Sequence, residues 1–152
     1  MMSQEEIRGL EIKISKALGF TVERGTLYAP PPKKTLLGGD YRVHVGSKLE
    51  TPEVIAQVWR DYTPRFARSM DEAMWLLDFI YERDFIDYNL FRDNDERHTC
   101  EIGYWADESG RSDKLWQATD ESAALAVALA VSKCPYVMDV KGIEFDPFKI
   151  GR

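Results

Sequence analysis

The chain has 152 residues, 44% of them hydrophobic and 30% charged, with a formal net charge of -6. A chain of this length buries roughly 68–70% of its unfolded surface and sustains a core without staples, and this composition excludes wholesale disorder. The negative balance excludes generic binding to double-stranded nucleic acid, which needs cations to displace counterions from phosphates, and it is too mild for a mimic of DNA.

In chain order, "SQEEIRGLEIKISKALGF" predicts a helix over 3–18. Ser3 caps it, Glu5 and Glu6 suit the positive end of the dipole, and Gly19 terminates it. Ile7, Leu10, Ile14 and Leu18 fall on one apolar stripe. "FTVERGTLYAP" alternates loosely enough for a short strand, and "PPPKKTLLGGD" is a loop, since prolines cannot donate to a ladder. "YRVHV" alternates as a strand. "TPEVIAQVWRDY" predicts a shorter helix near 52–61, capped by Thr51 with Pro52 in its first position and Val54, Ile55, Val58 and Tyr62 inward.

"SMDEAMWLLDFIYERD" predicts a helix over 69–82 with Ser69 and Glu72 at capping-box spacing. Ala73, Leu76, Leu77 and Ile80 form its stripe, and Trp75 and Phe79 widen that face. The period then changes to two: "DFIDYNLF", the polar turn "RDNDER" and "HTCEIGYWA" predict an antiparallel hairpin within 85–106. "KLWQA" reads as a short strand. A helix follows over 119–133, with Thr119 as cap and Pro135 closing it. Ala123–Val131 is apolar all round, so it belongs in the core against the hairpin. It is also the longest apolar run and falls far short of the roughly 20 residues of a membrane helix. "MMSQEEIRGLEIKISK" carries no apolar run behind a basic start, so a cytoplasmic protein without membrane association is expected, with Cys100 and Cys134 reduced.

Three pieces together resemble the phage ABA-sandwich domain family, small proteins encoded by phages and prophages. They are the leading helix ending in "ALGFTVE", the step into a capped helix in "PRFARSMDEAMWLLDFI", and the acidic-capped alanine helix "QATDESAALAVALAV" after a tryptophan-bearing hairpin. The resemblance covers about half the chain and implies an α+β fold, an α/β/α-type sandwich of helices flanking an antiparallel sheet, and a phage or prophage origin. It implies no activity and no site residues. The whole of 1–152 then reads as a single α+β domain, with 29–68 as a loop-rich insertion and 135–152 as a C-terminal extension. Within the insertion, Tyr41–Tyr62 has no counterpart in the family pattern.

No motif assigns an enzyme. His98 and Cys100 share one face of a strand, but a closed zinc site wants four ligands in paired short spacings, so no metal is expected. "DNDERHTCEIGY" starts like a calcium loop yet has histidine where the loop needs glycine and tyrosine where it needs glutamate. A Cys100 nucleophile has acidic neighbours, which do not lower a thiol pKa. Neither a Walker loop nor a dinucleotide glycine pattern occurs, and no cofactor is expected.

Charge distribution is the more informative signal. Acidic residues dominate Asp71–Glu96, whereas Lys33–Arg68 is locally basic and carries Tyr41, Trp59, Tyr62 and Phe66 among its cations. Aromatics beside arginines stack bases and hold phosphates, although the same pattern arises from core aromatics inside a solvated cationic rim. The candidate ligand or partner site is therefore Tyr41, Arg42, Trp59, Arg65 and Arg68. The function expected is non-catalytic binding of a host protein, or of the chain to itself as a homo-oligomer. The alternatives are sequestration of an anionic nucleotide by Tyr41, Trp59, Arg65 and Arg68, and an enzyme with an unrecognised site.

Overall fold

Capping and β-turn chemistry set most of the element boundaries in the structure, a computed structural model that describes residues 2–30, 42–44, 51–105 and 112–138. The fold is α+β, with two antiparallel three-stranded sheets, each packed with helices. The chain divides into two compact units, Met1–Arg65 and Phe66–Arg152.

The first unit opens with α1, Gln4–Leu18. Ser3 Oγ accepts from the Glu6 N–H at 3.1 Å while the Glu6 carboxylate accepts from the Ser3 N–H at 3.3 Å, a reciprocal capping box. Gly19 ends the helix in the left-handed region (φ 107°), and a Cβ there would also sit 3.1 Å from Pro30 Cβ. Strands β1 (Thr21–Glu23) and β2 (Thr26–Tyr28) make a hairpin where the sequence predicted one short strand. Its loop is Arg24–Gly25, both at positive φ, the conformation of a type I′ turn. Strand β3, Arg42–His44, pairs antiparallel with β2, placing Val43 opposite Leu27.

Helix α2, Pro52–Tyr62, begins as expected, with Thr51 Oγ1 accepting from the Val54 N–H at 3.3 Å. It packs on β1 and β2 and touches α1. Its inward side is narrower than predicted, because Val58 is buried, Val54 and Ile55 are half-buried and Tyr62 is exposed. The segment Tyr41–Tyr62, read from the sequence as part of an insertion, thus supplies a strand and a helix of this unit.

The second unit begins at Phe66. Helix α3, Met70–Asp84, is capped by Ser69, whose Oγ accepts from the Glu72 N–H at 3.4 Å. It buries Ala73, Trp75, Leu76, Leu77, Phe79 and Ile80, and Phe66, Trp75 and Phe79 stack in series with ring centroids 5.8 and 5.2 Å apart. Phe66 is therefore core and not an exposed aromatic platform. A Schellman motif ends the helix: Phe85 turns left-handed (φ 59°), and the N–H of buried Ile86 reaches Ile80 O at 3.3 Å.

Strands β4 (Asp87–Arg92), β5 (His98–Trp105) and β6 (Ser112–Asp120) follow as an antiparallel meander. Tyr88, Leu90, Cys100, Ile102, Tyr104, Trp116 and Ala118 alternate onto its inner face, buried or half-buried. Helix α4, Ala123–Lys133, lies over β5 and β6 and packs beside α3, so the apolar segment is core as predicted.

Its start needs correction. Thr119 is a strand residue whose hydroxyl meets that of Thr99 at 2.8 Å, and Ser122 is the cap, accepting from the Leu125 N–H at 3.3 Å. Both residues are competent caps, and cross-strand pairing of Thr99 with Thr119 and of His98 with Asp120 carries the strand past the first. Pro135 likewise does more than close α4: it opens a single turn, α5 (Pro135–Met138), in the first helical position where its missing N–H costs nothing.

Candidate functional site

The thiol chemistry weighed from the sequence finds poor ground. Cys100 is buried on the inner face of β5, and burial, helped by the neighbouring Glu101 charge, pushes its thiol up to about 12. Cys134, buried at the C-cap of α4, is pushed up to about 11, chiefly by burial, with backbone hydrogen bonds from Val137 and Tyr136 working the other way. The thiolate is the nucleophile, so neither group is poised to react. Tyr104 shares this dry layer: its hydroxyl donates to Asp84 O at 3.2 Å, its ring meets Tyr136 edge-on, and burial raises its pKa.

Among the described residues no group of three or more His, Cys, Asp or Glu side chains is arranged to hold a metal. The calcium-like stretch is a turn in which Asp93 Oδ1 accepts from the N–H groups of Asp95 (3.0 Å) and Arg97 (2.9 Å). That carboxylate is occupied by its own backbone.

Of the nominated binding residues, Tyr41 lies outside the described residues, and so does the Arg42 side chain, although its backbone belongs to β3. Trp59 is half-buried on α2, and the cation over its ring is Lys16 of α1, with Nζ 5.2 Å from the centroid. Arg65 ends the first unit and Arg68 stands near the start of the second, both exposed. The described part of this stretch thus joins Trp59 to Lys16, a cation that reading the chain segment by segment does not connect to it.

Models of known protein families, curated sequences and solved structures contain no match to this chain. The resemblance drawn from the sequence accordingly rests on the three quoted segments alone.

Sequence reasoning missed the outward side of α3. Met70 is 39% exposed, Tyr81 52% and Phe85 61%. Met70 and Tyr81 fall on one helical stripe, but between them Met74 is half-buried and Leu77 fully buried, so the exposure lies at the two ends of the helix. Asp71, Asp78 and Glu82 belong to the same helix. Partial burial raises the Asp78 pKa above the usual carboxylate range, and the Glu82 charge one turn away adds to the shift. The signal was present in "MDEAMWLLDFIYERDF": Met70, Met74, Tyr81 and Phe85 remain after the inward face of Ala73, Trp75, Leu76, Leu77, Phe79 and Ile80 is assigned. Outward positions of a surface helix are ordinarily polar.

Proposed function

We propose that the protein acts by binding another protein, as a phage or prophage accessory factor that modulates a host process in the host cytoplasm. The observation that carries this reading is the exposure of large apolar side chains at the two ends of α3, Met70 at its start and Tyr81 and Phe85 at and just past its end. Exposed apolar surface is a mark of interaction sites, and aromatic residues dominate the energetics of such contacts. Burial of both thiols in their protonated state favours binding over thiol chemistry. The phage setting is supported by the resemblance of the three quoted segments.

Capture from a host lysate tests the proposal, with mass spectrometry of retained proteins and small molecules and sedimentation of the purified chain. A host protein displaced by excess untagged protein is the expected result. A retained nucleotide with no protein replaces this reading by the sequestering one centred on Tyr41, Trp59, Arg65 and Arg68. A monomer that retains neither overturns it.

A further inference from the structure

We propose that the outer edge of β6 is a pairing surface for the same edge of a second copy of the chain, and that Lys133, at the end of α4, holds it shut. The inference goes beyond the binding function above and does not depend on it.

The ladder fixes which backbone groups face outward. In an antiparallel sheet, successive residues of a strand turn their N–H and C=O alternately to one side and the other. The Asp93 N–H bonds Arg97 O at 2.8 Å, so Thr99, Glu101 and Gly103, of the same parity as Arg97, turn theirs toward β4. His98, Cys100 and Ile102 are left for β6, where they face Asp120, Ala118 and Trp116. Leu115, Gln117 and Thr119 consequently point their N–H and C=O away from β5. All three are exposed, and among the described residues no strand lies beside them.

Lys133 agrees with this parity and answers it. Its Nζ donates to Gln117 O at 2.8 Å, the middle carbonyl of the outward three. Helix α4 lies over β6 and ends at Lys133, so the side chain reaches the edge from the helix layer. A strand arriving at β6 has to displace this ammonium from its acceptor, and lysine on an edge is a recurrent block to strand addition. The opposite edge is treated in kind: β4 turns Tyr88, Leu90 and Arg92 outward, and the Tyr88 N–H is taken by Asp87 Oδ1 at 2.8 Å. Each edge of the sheet thus carries a charged side chain on an outward backbone group.

The edge is suited to its own copy. Two β6 edges meeting antiparallel about a two-fold axis at Gln117 set Gln117 opposite Gln117 and Leu115 opposite Thr119, so the outward groups of all three residues find partners. On the helix side the same register sets half-buried Trp116 opposite buried Ala118, a large ring beside a small side chain. The Lys133 bond sits at the centre of that register.

Sedimentation of the full chain over a range of concentrations tests the proposal. Lys133→Met keeps the aliphatic stem and loses the ammonium; it should self-associate about tenfold or more tightly than wild type, whereas Lys133→Arg should behave as wild type. Adding Gln117→Pro to Lys133→Met should cancel the gain, because proline removes an outward N–H that the sheet does not use. Adding Leu115→Lys instead returns a cation to the edge and should cancel it too. Circular dichroism checks folding, and Lys133→Gln takes the place of Lys133→Met should the latter not fold. Sedimentation of the uncharged variants like wild type, or a gain that survives both Gln117→Pro and Leu115→Lys, overturns the proposal. An uncharged variant that stays monomeric yet binds an unrelated extended peptide, and loses it on Gln117→Pro, gives the edge to a foreign strand and overturns the self-pairing assignment.

Discussion

Helices α3 and α4 pack side by side in one unit and use apolar residues in opposite ways. α4 buries Ala124, Ala126, Val127, Ala128, Ala130 and Val131, so small side chains let it lie close against β5 and β6. Its polar leftovers are satisfied locally: Ser132 Oγ donates to Leu129 O at 2.7 Å, and Lys133 Nζ reaches Gln117 O at 2.8 Å. α3 fills its inward side with large residues and still has Met70, Tyr81 and Phe85 to show to water. Packing buries six apolar residues of α4 and leaves Ala123, Leu125 and Leu129 half-buried, whereas α3 leaves Met70 and Tyr81 exposed. A residue explained by burial needs no further role, and the ends of α3 are where burial does not supply that explanation.

The strongest way to break this contrast is Val127→Asp, which places a carboxylate at a position with no exposure. A loss of about 4 kcal/mol or more in urea unfolding is expected; a small loss would mean that α4 is not core. Alkaline titration comes next, because Cys100 and Cys134 share the dry layer beneath and at the end of α4. Both thiols are raised from an ordinary value near 9, to about 12 and about 11. Below that ordinary value they are protonated folded or unfolded, and their contribution is fully present. Above it the unfolded chain releases protons that the folded chain keeps, so stability should fall by about 1.4 kcal/mol per pH unit per thiol at most. The fall should end near pH 11 for Cys134 and near pH 12 for Cys100, and alanine at both positions should make the melting-temperature profile shallower there, the remaining slope belonging to Tyr104 and Tyr88, which burial also raises. Ser122→Ala should cost about 1 kcal/mol as loss of a true cap, more than Thr119→Ala if the boundary of α4 is as described. The smallest effects belong to the exposed end of α3: Tyr81→Ser should shift stability by about 0.5 kcal/mol or less, and Phe85→Gly should leave it level or slightly raised.

The sequence disclosed the helices because caps and terminators are local. Ser3, Thr51, Ser69 and Gly19 each act within one turn of themselves, and each was readable. It misled where two local signals competed and a distant one decided. Thr119 and Ser122 are equivalent as letters, and pairing with Thr99 separates them. The Arg24–Gly25 hairpin was half visible, since arginine does not advertise a left-handed turn as asparagine does. Glu11 was wholly hidden: its carboxylate is buried on the inward side of α1, held by Arg8 at 2.9 Å. No periodicity marks a buried ion pair. The exposed apolar residues of α3 failed to emerge for a different reason: the face read from the sequence held Ala73, Trp75, Leu76, Leu77, Phe79 and Ile80, all buried, and assigned Met70, Tyr81 and Phe85 to no face.

Arg8 also donates through Nε to Arg60 O at 2.6 Å, closing a contact between residues 52 positions apart. Among the described residues of both units, every strand pairs with its neighbour in the chain. Closing the longer loop costs about 2 kcal/mol more entropy than closing one a tenth as long. The meander should therefore set the folding rate of its own unit, while the Arg8 bond forms after the first unit's transition state. Replacing Arg8 would then quicken unfolding and leave the folding rate alone, giving α1 the role of a latch that slows opening of the first unit.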